Sequence, residues 1–595
     1  MKKIFASMLL PLLFAGCVEL DYFRSDTMTS AQLAADPSAA SYITDGVYAM
    51  MKDRLGYPDK NHKDGNNTFI RQYFQLGEFR GDNICLSGST TDPLFNAATL
   101  SDDQDSANSG YYWFASYKML YAVNANLNGL KEGVSPEGDW LMGENYFLRA
   151  FLHFGLCNLF AKPYSAGEDN PGIVLRTSLD MSNTTRATVG ACYKSIVDDL
   201  KEAWRLMGKN GVQKRGSDNG YATKQAAQAL LSRVYLYMGE NAKCKEVCDS
   251  LIGTTPEAYL ETDLNKLYGD PRKSKEVIWC IDMVNAEDDW NKEPRSTVGS
   301  MYYSNDGLGN LGWAEIYVSD PLLDLMLRFP NDKRYNQMVE LYYANPGLMV
   351  TWGHDGGDPN RKNRGVYTGV TGPAADGSYS FTHSGRAMRA VKNTANPVCA
   401  DFPGYVLENP QGVTDTVCYV RPFSPDMAID DNPESPTYGT LVYPGVRYTY
   451  PAWMCKKFSY QDGAAGVTSP IMLRYGEVVI NRAEAEAKLG LNAAALDDVN
   501  VLRTRAGLTG DELMSDANMA GRGYANYLDM VLDERRLELY YESQRAFDLI
   551  RNGKNIDRRY PGMQDWEVVP FGDLRLQYQI PYDEYSISGI TPNER

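Results

Sequence analysis

Apolar residues recur at helical spacing in two blocks of this chain and lose that spacing between them. In the first block Leu148, Phe151, Leu152, Gly155, Leu156 and Leu159 follow the i, i+3, i+4, i+7 pattern, which predicts a half-buried helix stopped by Pro163. Ile196, Leu200, Ala203, Trp204 and Met207 repeat the pattern up to Gly208. Thr223 is the N-cap candidate of a third helix, which carries Ala226, Leu230, Val234 and Tyr237 and ends at Gly239. A fourth begins at once, around Ala242 to Leu251. Helices of about four turns joined by very short links must be antiparallel neighbours, and Ala226, Ala227 and Ala229 allow close contact. The pattern is that of stacked helix hairpins, as in tetratricopeptide arrays.

From about residue 255 to 470 the periodicity fades, Gly and Pro become frequent, and Trp and Tyr are spread between them. Short apolar pieces such as Val277-Ile278-Trp279-Cys280-Ile281 predict strands. The segment as a whole predicts loops and short elements packed on the helical block, where scaffolded binding residues tend to sit. Helical spacing returns with Tyr475, Val479, Ala483 and Ala487 up to Gly490, then with Leu496, Val499 and Leu502. Gly507-Leu508 suits a Schellman cap. A last long helix is predicted from about Tyr527 to Ile550, charged at Glu534, Arg535, Arg536, Glu538, Glu542, Arg545, Asp548 and Arg551. Spacings of three and four predict Arg535 near Glu538, and Arg545 near Glu542 and Asp548. These charges, with Glu144, Arg149, Arg474 and Glu477, read as structural ion pairs rather than catalytic carboxylates.

The N-terminus changes the picture of where the protein works. Met1-Lys2-Lys3 is followed by an apolar run from Ile4 to Phe14, then Ala15-Gly16 and Cys17. That run is too short to span a bilayer in a mature protein and predicts a cleaved secretory signal. Small residues before Cys17 predict a lipobox, with Cys17 the lipidated first residue of the mature chain and acyl chains as membrane anchor; Phe14 stands where Leu is usual. The nine remaining cysteines show no CxxC pair and predict neither zinc site nor disulfide framework. The predicted division is 1–16 signal peptide, 17–36 lipidated tether, 37–254 N-terminal helical part, 255–470 loop-rich ligand-binding part, and 471–595 C-terminal helical part packed with the first. One helical frame thereby replaces the roughly four domains that 595 residues would otherwise imply.

A net charge of −17 excludes non-specific binding to nucleic acid. Only four His are present, which speaks against a His-rich metal centre, and neither metal nor cofactor is expected. Gly307-Leu-Gly-Asn-Leu-Gly312 satisfies GxGxxG in letters, but Tyr303-Ser-Asn-Asp306 before it is no apolar strand and Pro321 soon follows. Acidic clusters at Asp102-Asp103-Asp105, Asp355/Asp358 and Asp430-Asp431 lack the EF-hand pattern and read as solvated loop charge.

Several segments together carry a resemblance to a known family. Gly143-Glu-Asn-Tyr-Phe-Leu-Arg-Ala-Phe-Leu-His-Phe154, Leu473-Arg-Tyr-Gly-Glu-Val-Val-Ile-Asn-Arg-Ala-Glu-Ala487, Val499-Asn-Val-Leu-Arg-Thr-Arg-Ala-Gly507 and Asp533-Glu-Arg-Arg-Leu-Glu-Leu539 are similar to helices of SusD/RagB-like nutrient-binding outer-membrane lipoproteins. Glu78-Phe-Arg-Gly-Asp-Asn83 resembles their short N-terminal acidic segment, and Ile580-Pro581 their C-terminal turn. Gly476 departs from the family's Ala, and the chain after Pro581 lacks its closing Asn-Pro run. The resemblance implies a mainly α fold: a tetratricopeptide-like helical scaffold with an irregular, loop-rich ligand-binding subdomain. It also implies a lipid-anchored protein on the extracellular face of the outer membrane, holding a glycan or oligosaccharide for a SusC-like TonB-dependent transporter. Some relatives take peptides instead, and a surface glycosidase with two carboxylates is the enzymatic alternative.

A glycan site needs aromatic faces for sugar C–H groups and fixed polar partners for the hydroxyls. The middle segment offers Trp290, Tyr302, Tyr303, Trp313, Trp352 and Tyr367, several beside Asp or Asn. Asp82, Asn83 and Phe95 lie in the N-terminal region where relatives also contribute contacts. Together these are the ligand-binding candidates. The 41 Tyr against 19 Phe therefore divide in two: Tyr146, Tyr235 and Tyr475 on helices for packing, the middle ones for ligand.

Overall fold

The computed structural model describes residues 38–595 except 57–67, 87–92, 210–214, 217, 284–297, 303–315, 344–346, 353–362, 369–370, 373, 384, 394–403, 409–413, 424–427, 430–440, 443–451, 460, 464–466, 561–563 and 566. Helices build the frame. The predicted helix around Leu148 runs over Pro136–Phe160, with Pro136 in its first turn and the Ser135 hydroxyl accepting from Gly138 N. Thr188 caps Val189–Met207 and Thr223 caps Lys224–Met238 in the same way. Gly239, at φ 75°, ends the latter and the chain turns at once into Asn241–Ile252. Each of these helices packs on the next, and Tyr475–Lys488 then packs on Asn241–Ile252 and on Asn492–Arg505. The C-terminal helices thus continue the N-terminal stack directly, and the segment between them is an insertion into one mainly α, tetratricopeptide-like frame.

Glycines mark the tightest crossings. A Cβ on Gly143 would meet Met207 Cγ at 2.6 Å, and one on Gly155 would collide with the Tyr112 hydroxyl. The Gly507-Leu508 pair closes as predicted: Leu508 N reaches Arg503 O and Gly507 N reaches Thr504 O, both at 3.0 Å, with Gly507 at φ 90°.

One expectation is refined and one corrected. The inserted segment consists of loops and short elements as expected, and those elements include a six-stranded antiparallel sheet in the order 363–368, 347–352, 414–423, 404–408, 386–393, 379–383. Apolar and polar residues alternate at Tyr379-Ser380-Phe381-Thr382, where Tyr379 and Phe381 are buried; the other strands mix the two without a regular period of two. The apolar piece at 277 does form a strand, Val277–Cys280, paired with Ile471–Arg474 at the entry to the Tyr475 helix.

The last long helix is also two, Tyr527–Leu539 and Arg545–Arg551. Between them Tyr541 and Ser543 adopt φ 66° and 60°, and their backbone N–H groups donate to the buried Glu78 carboxylate at 3.1 and 3.0 Å. The break removes the helical spacing of Glu542 and Arg545, and elsewhere longer-range partners take the arginines. Arg535 bonds Asp548 (2.7 Å) instead of Glu538, and Arg545 bonds Asp82 (2.7 Å) instead of Glu542 and Asp548.

Candidate functional site

Where the insertion meets the frame, charge is buried and compensated. Arg474 donates to Glu276 at 3.0 Å, to both oxygens of Glu542 at 2.9 Å and to Glu538. Arg505 also reaches Glu538, Arg334 joins Asp332 and Glu534 at 2.6 Å each, Arg503 reaches Glu534 at 2.8 Å and Lys457 reaches Glu542 at 2.7 Å. All ten groups are buried, five of each sign. Burial alone would raise the Glu538 and Glu542 carboxyls, but the surrounding Arg and Lys outweigh it and hold both below the ordinary range. Carboxylates so held make poor general acids near neutrality. Their role is to fasten Glu276, Arg334 and Lys457 of the insertion to the C-terminal helices.

The other predicted structural charges behave alike. Glu144 accepts from Arg215, Trp140 and Tyr48; Arg149 is bidentate on Asp199; Glu477 is bidentate on Arg233. Among the described residues no cluster of His, Cys, Asp or Glu could hold a metal ion.

Of the sequence-derived ligand candidates, three lie in the interior. Asp82 is bonded by Arg545 and lies 3.4 Å from Arg536; burial would raise its carboxyl, but the two guanidinium groups hold it at about 2. Asn83 bridges Glu78 and Arg536 at 2.8 Å each. Tyr302 is buried against Phe458 and Tyr541, with ring centroids 5.5 and 5.1 Å away. These side chains have no face left for a ligand from solvent, a correction whose cause is the burial of the acidic segment under the C-terminal helices. Phe95 opens the short helix Phe95–Thr99 and packs partly buried on the core. The backbones of Trp352 and Tyr367 lie in adjacent strands, opposite Asn363 and Leu348. Cys17, Trp290, Tyr303 and Trp313, with the Gly307–Gly312 run, lie outside the described residues.

A cleft of about 350 Å³ opens where the Pro136–Phe160 helix ends, against the 161–170 loop and the segments 547–553 and 571–577. Buried Tyr193, Tyr237 and Leu576 form its floor, while Tyr164 and the half-exposed Phe571 stand at the rim. Tyr164 meets Tyr193 edge to face at 5.0 Å. The Arg551 guanidinium lies 4.9 Å over the Tyr237 ring while its N–H groups are taken by Glu484 and Asp548. Asn158 Oδ1 accepts from the Tyr193 hydroxyl at 3.4 Å, and Gln577 Nε2 donates to Phe160 O at 2.8 Å. Burial pushes the Tyr193 and Tyr237 phenols up, so both remain neutral donors. Behind Tyr237 and Phe547 an annex of about 20 Å³ reaches Gly155 and the Tyr112 hydroxyl, which is buried without a hydrogen-bond partner. A second depression, about 470 Å³ beside Asn500 and Thr504, has no aromatic ring in its lining. The sequence reading missed the aromatic cleft because its rings come from segments far apart in the chain, and Tyr193 and Tyr237 carry only a helix-packing signal.

A tetratricopeptide-like helical frame with an inserted antiparallel sheet, fastened by compensated buried charge, defines a scaffold class. The chain belongs to the SusD family, whose model matches residues 275–584. A second family model, described as starch-binding associating with outer membrane, matches residues 72–236. SusD-like protein P25 of Formosa agariphila is 21% identical over 80% of this chain and 77% of its own. A SusD superfamily protein from Bacteroides thetaiotaomicron superposes with a TM-score of 0.62 at 19% identity, covering 94% of this chain and 99% of that one. A SusD-like carbohydrate binding protein from Bacteroides vulgatus does so with a TM-score of 0.60 at 16% identity, covering 93% and 96%.

Proposed function

We propose that this is a lipid-anchored surface protein that captures a glycan or its oligosaccharides and delivers them to a SusC-like TonB-dependent outer-membrane transporter, without itself cleaving the ligand. The observation that carries the reading is the family match over both halves of the frame, one of its models being described as starch-binding at the outer membrane. The lipobox at Cys17 supports the location, and the carbohydrate-binding relative of the same fold supports the ligand class. Trp290, Tyr303, Trp313, Trp352 and Tyr367 of the insertion, with Phe95 of the N-terminal part, remain the candidate contacts, stacking on sugar C–H faces while neighbouring Asn and Asp orient the hydroxyls. Capture on such a platform, followed by movement of the whole protein against the transporter, would present the ligand to it.

The test is electrophoresis of the mature chain through gels containing a panel of polysaccharides. Retardation without release of reducing ends is expected, and weaker retardation for Trp352→Ala or Trp290→Ala. Release of reducing ends would favour the glycosidase, and no retardation in any gel would overturn glycan binding. In cells, Cys17→Ala should free the protein from membranes; continued membrane association would refute the anchor.

A further inference from the structure

We propose that the aromatic cleft at the C-terminal end of the Pro136–Phe160 helix is a second saccharide site, separate from the insertion and sized for one neutral mono- or disaccharide. It rests on the glycan-binding reading above and adds to it a site on the helical frame itself. Its volume, about 350 Å³, falls at the small end of ligand pockets, which run from about 300 to 1,000 Å³.

Three properties of the lining select the ligand. The walls are ring faces and edges, from Tyr164, Tyr193, Phe547 and Phe571, which suit the C–H face of a sugar ring. The buried charged groups are already answered: Arg551 by Glu484 and Asp548, and Asp573 by Arg575. Lys162, about a third exposed, keeps Glu594 at 3.9 Å, so the interior, though not the mouth, is left to a neutral ligand. Finally, the Asn158 amide nitrogen and the Tyr237 hydroxyl have no protein partner among the described residues, and the buried Tyr112 hydroxyl stands unpartnered beyond them in the annex. A hydrocarbon entering the cleft would strip water from these groups and return no hydrogen bond. A polyol would satisfy them, with its ring against the tyrosines and one hydroxyl-bearing arm toward Tyr112.

The experiment uses the full mature chain and six neutral probes: glucose, galactose, mannose, xylose, maltose and cellobiose. Saturation-transfer NMR finds the binder and calorimetry measures it. At least one probe is expected to bind, and Phe571→Ala, at a half-exposed rim position, should weaken it about tenfold, the scale of one lost aromatic contact. Tyr237→Phe, which removes only a hydroxyl, should weaken it about fivefold. Binding by no probe, or binding that neither cleft variant weakens, overturns the proposal. The two readings fail separately. Polysaccharide retardation that persists while the cleft variants change no probe's affinity leaves the glycan reading standing and removes the cleft. Probe binding lost in Phe571→Ala, with no retardation of the wild type in any gel, does the reverse.

Discussion

Replacing Arg474 by Met should destabilise the protein by about 3–5 kcal/mol at pH 8, the range for removing one partner of a buried ion pair. The reasoning starts from the balance of the buried cluster. Arg334, Arg474, Arg503, Arg505 and Lys457 face Asp332, Glu276, Glu534, Glu538 and Glu542, so the ten groups sum to zero charge. Methionine fills much of the space of the arginine stem but leaves one negative charge uncompensated. Glu538 keeps Arg505 and Arg334, and Glu542 keeps Lys457, whereas Glu276 keeps Arg505 at 3.9 Å and the Glu261 backbone N–H at 2.8 Å. Glu276 is therefore the carboxylate left with the least compensating charge. Urea unfolding of both proteins at pH 8 reads the difference directly. A loss below about 1 kcal/mol would refute this account of the cluster.

Gly155→Ala drives a methyl group into the Tyr112 hydroxyl and should lower the urea midpoint by the equivalent of about 1–3 kcal/mol. Tyr112→Phe in the same chain should restore part of that loss. Tyr112→Phe alone should leave stability unchanged or raised, since the hydroxyl it removes is buried without a partner; a drop of more than about 1 kcal/mol would show an unrecognised partner. His153 offers a test by pH. Burial, reinforced by Arg149, holds its imidazole at about 3, and its Nε2 accepts the Arg176 backbone N–H at 3.2 Å. The folded pKa lies below the unfolded one, so this contribution is complete above about pH 6.5 and is lost as pH falls toward 3, by up to about 1.4 kcal/mol per unit. His153→Gln should flatten the slope of stability against pH between 6 and 4 relative to the wild type, as followed by thermal midpoints; parallel slopes would exclude the assignment.

Local pattern was enough for the frame because caps and periodicity are local physics. Thr223, Gly239 and Gly507-Leu508 each act within a few residues of where they stand; Thr223 opens its helix and the other two close theirs as read. The break between the Tyr527 and Arg545 helices was beyond such reading. Its left-handed Tyr541 and Ser543 are held by Glu78, 463 residues before Tyr541, and no window on the charged run contains that carboxylate. The segments behind the family resemblance show the same long reach. Asp82 of the acidic segment pairs with Arg536 and Arg545 of the last helices, Glu477 with Arg233, and Arg149 with Asp199. What reads as a motif is one half of a buried joint whose other half lies elsewhere in the chain. This is why Asp82 and Asn83, read as ligand contacts, turn out to fasten the frame. Residues that meet a ligand are under no such pairing constraint. Tyr164, Tyr237 and Phe571 converge on one cleft from a loop, a helix and a turn, and none belongs to the segments that carried the resemblance. In this family's architecture a motif match therefore locates the scaffold, and ligand choice must be sought in the aromatic residues that the motifs leave out.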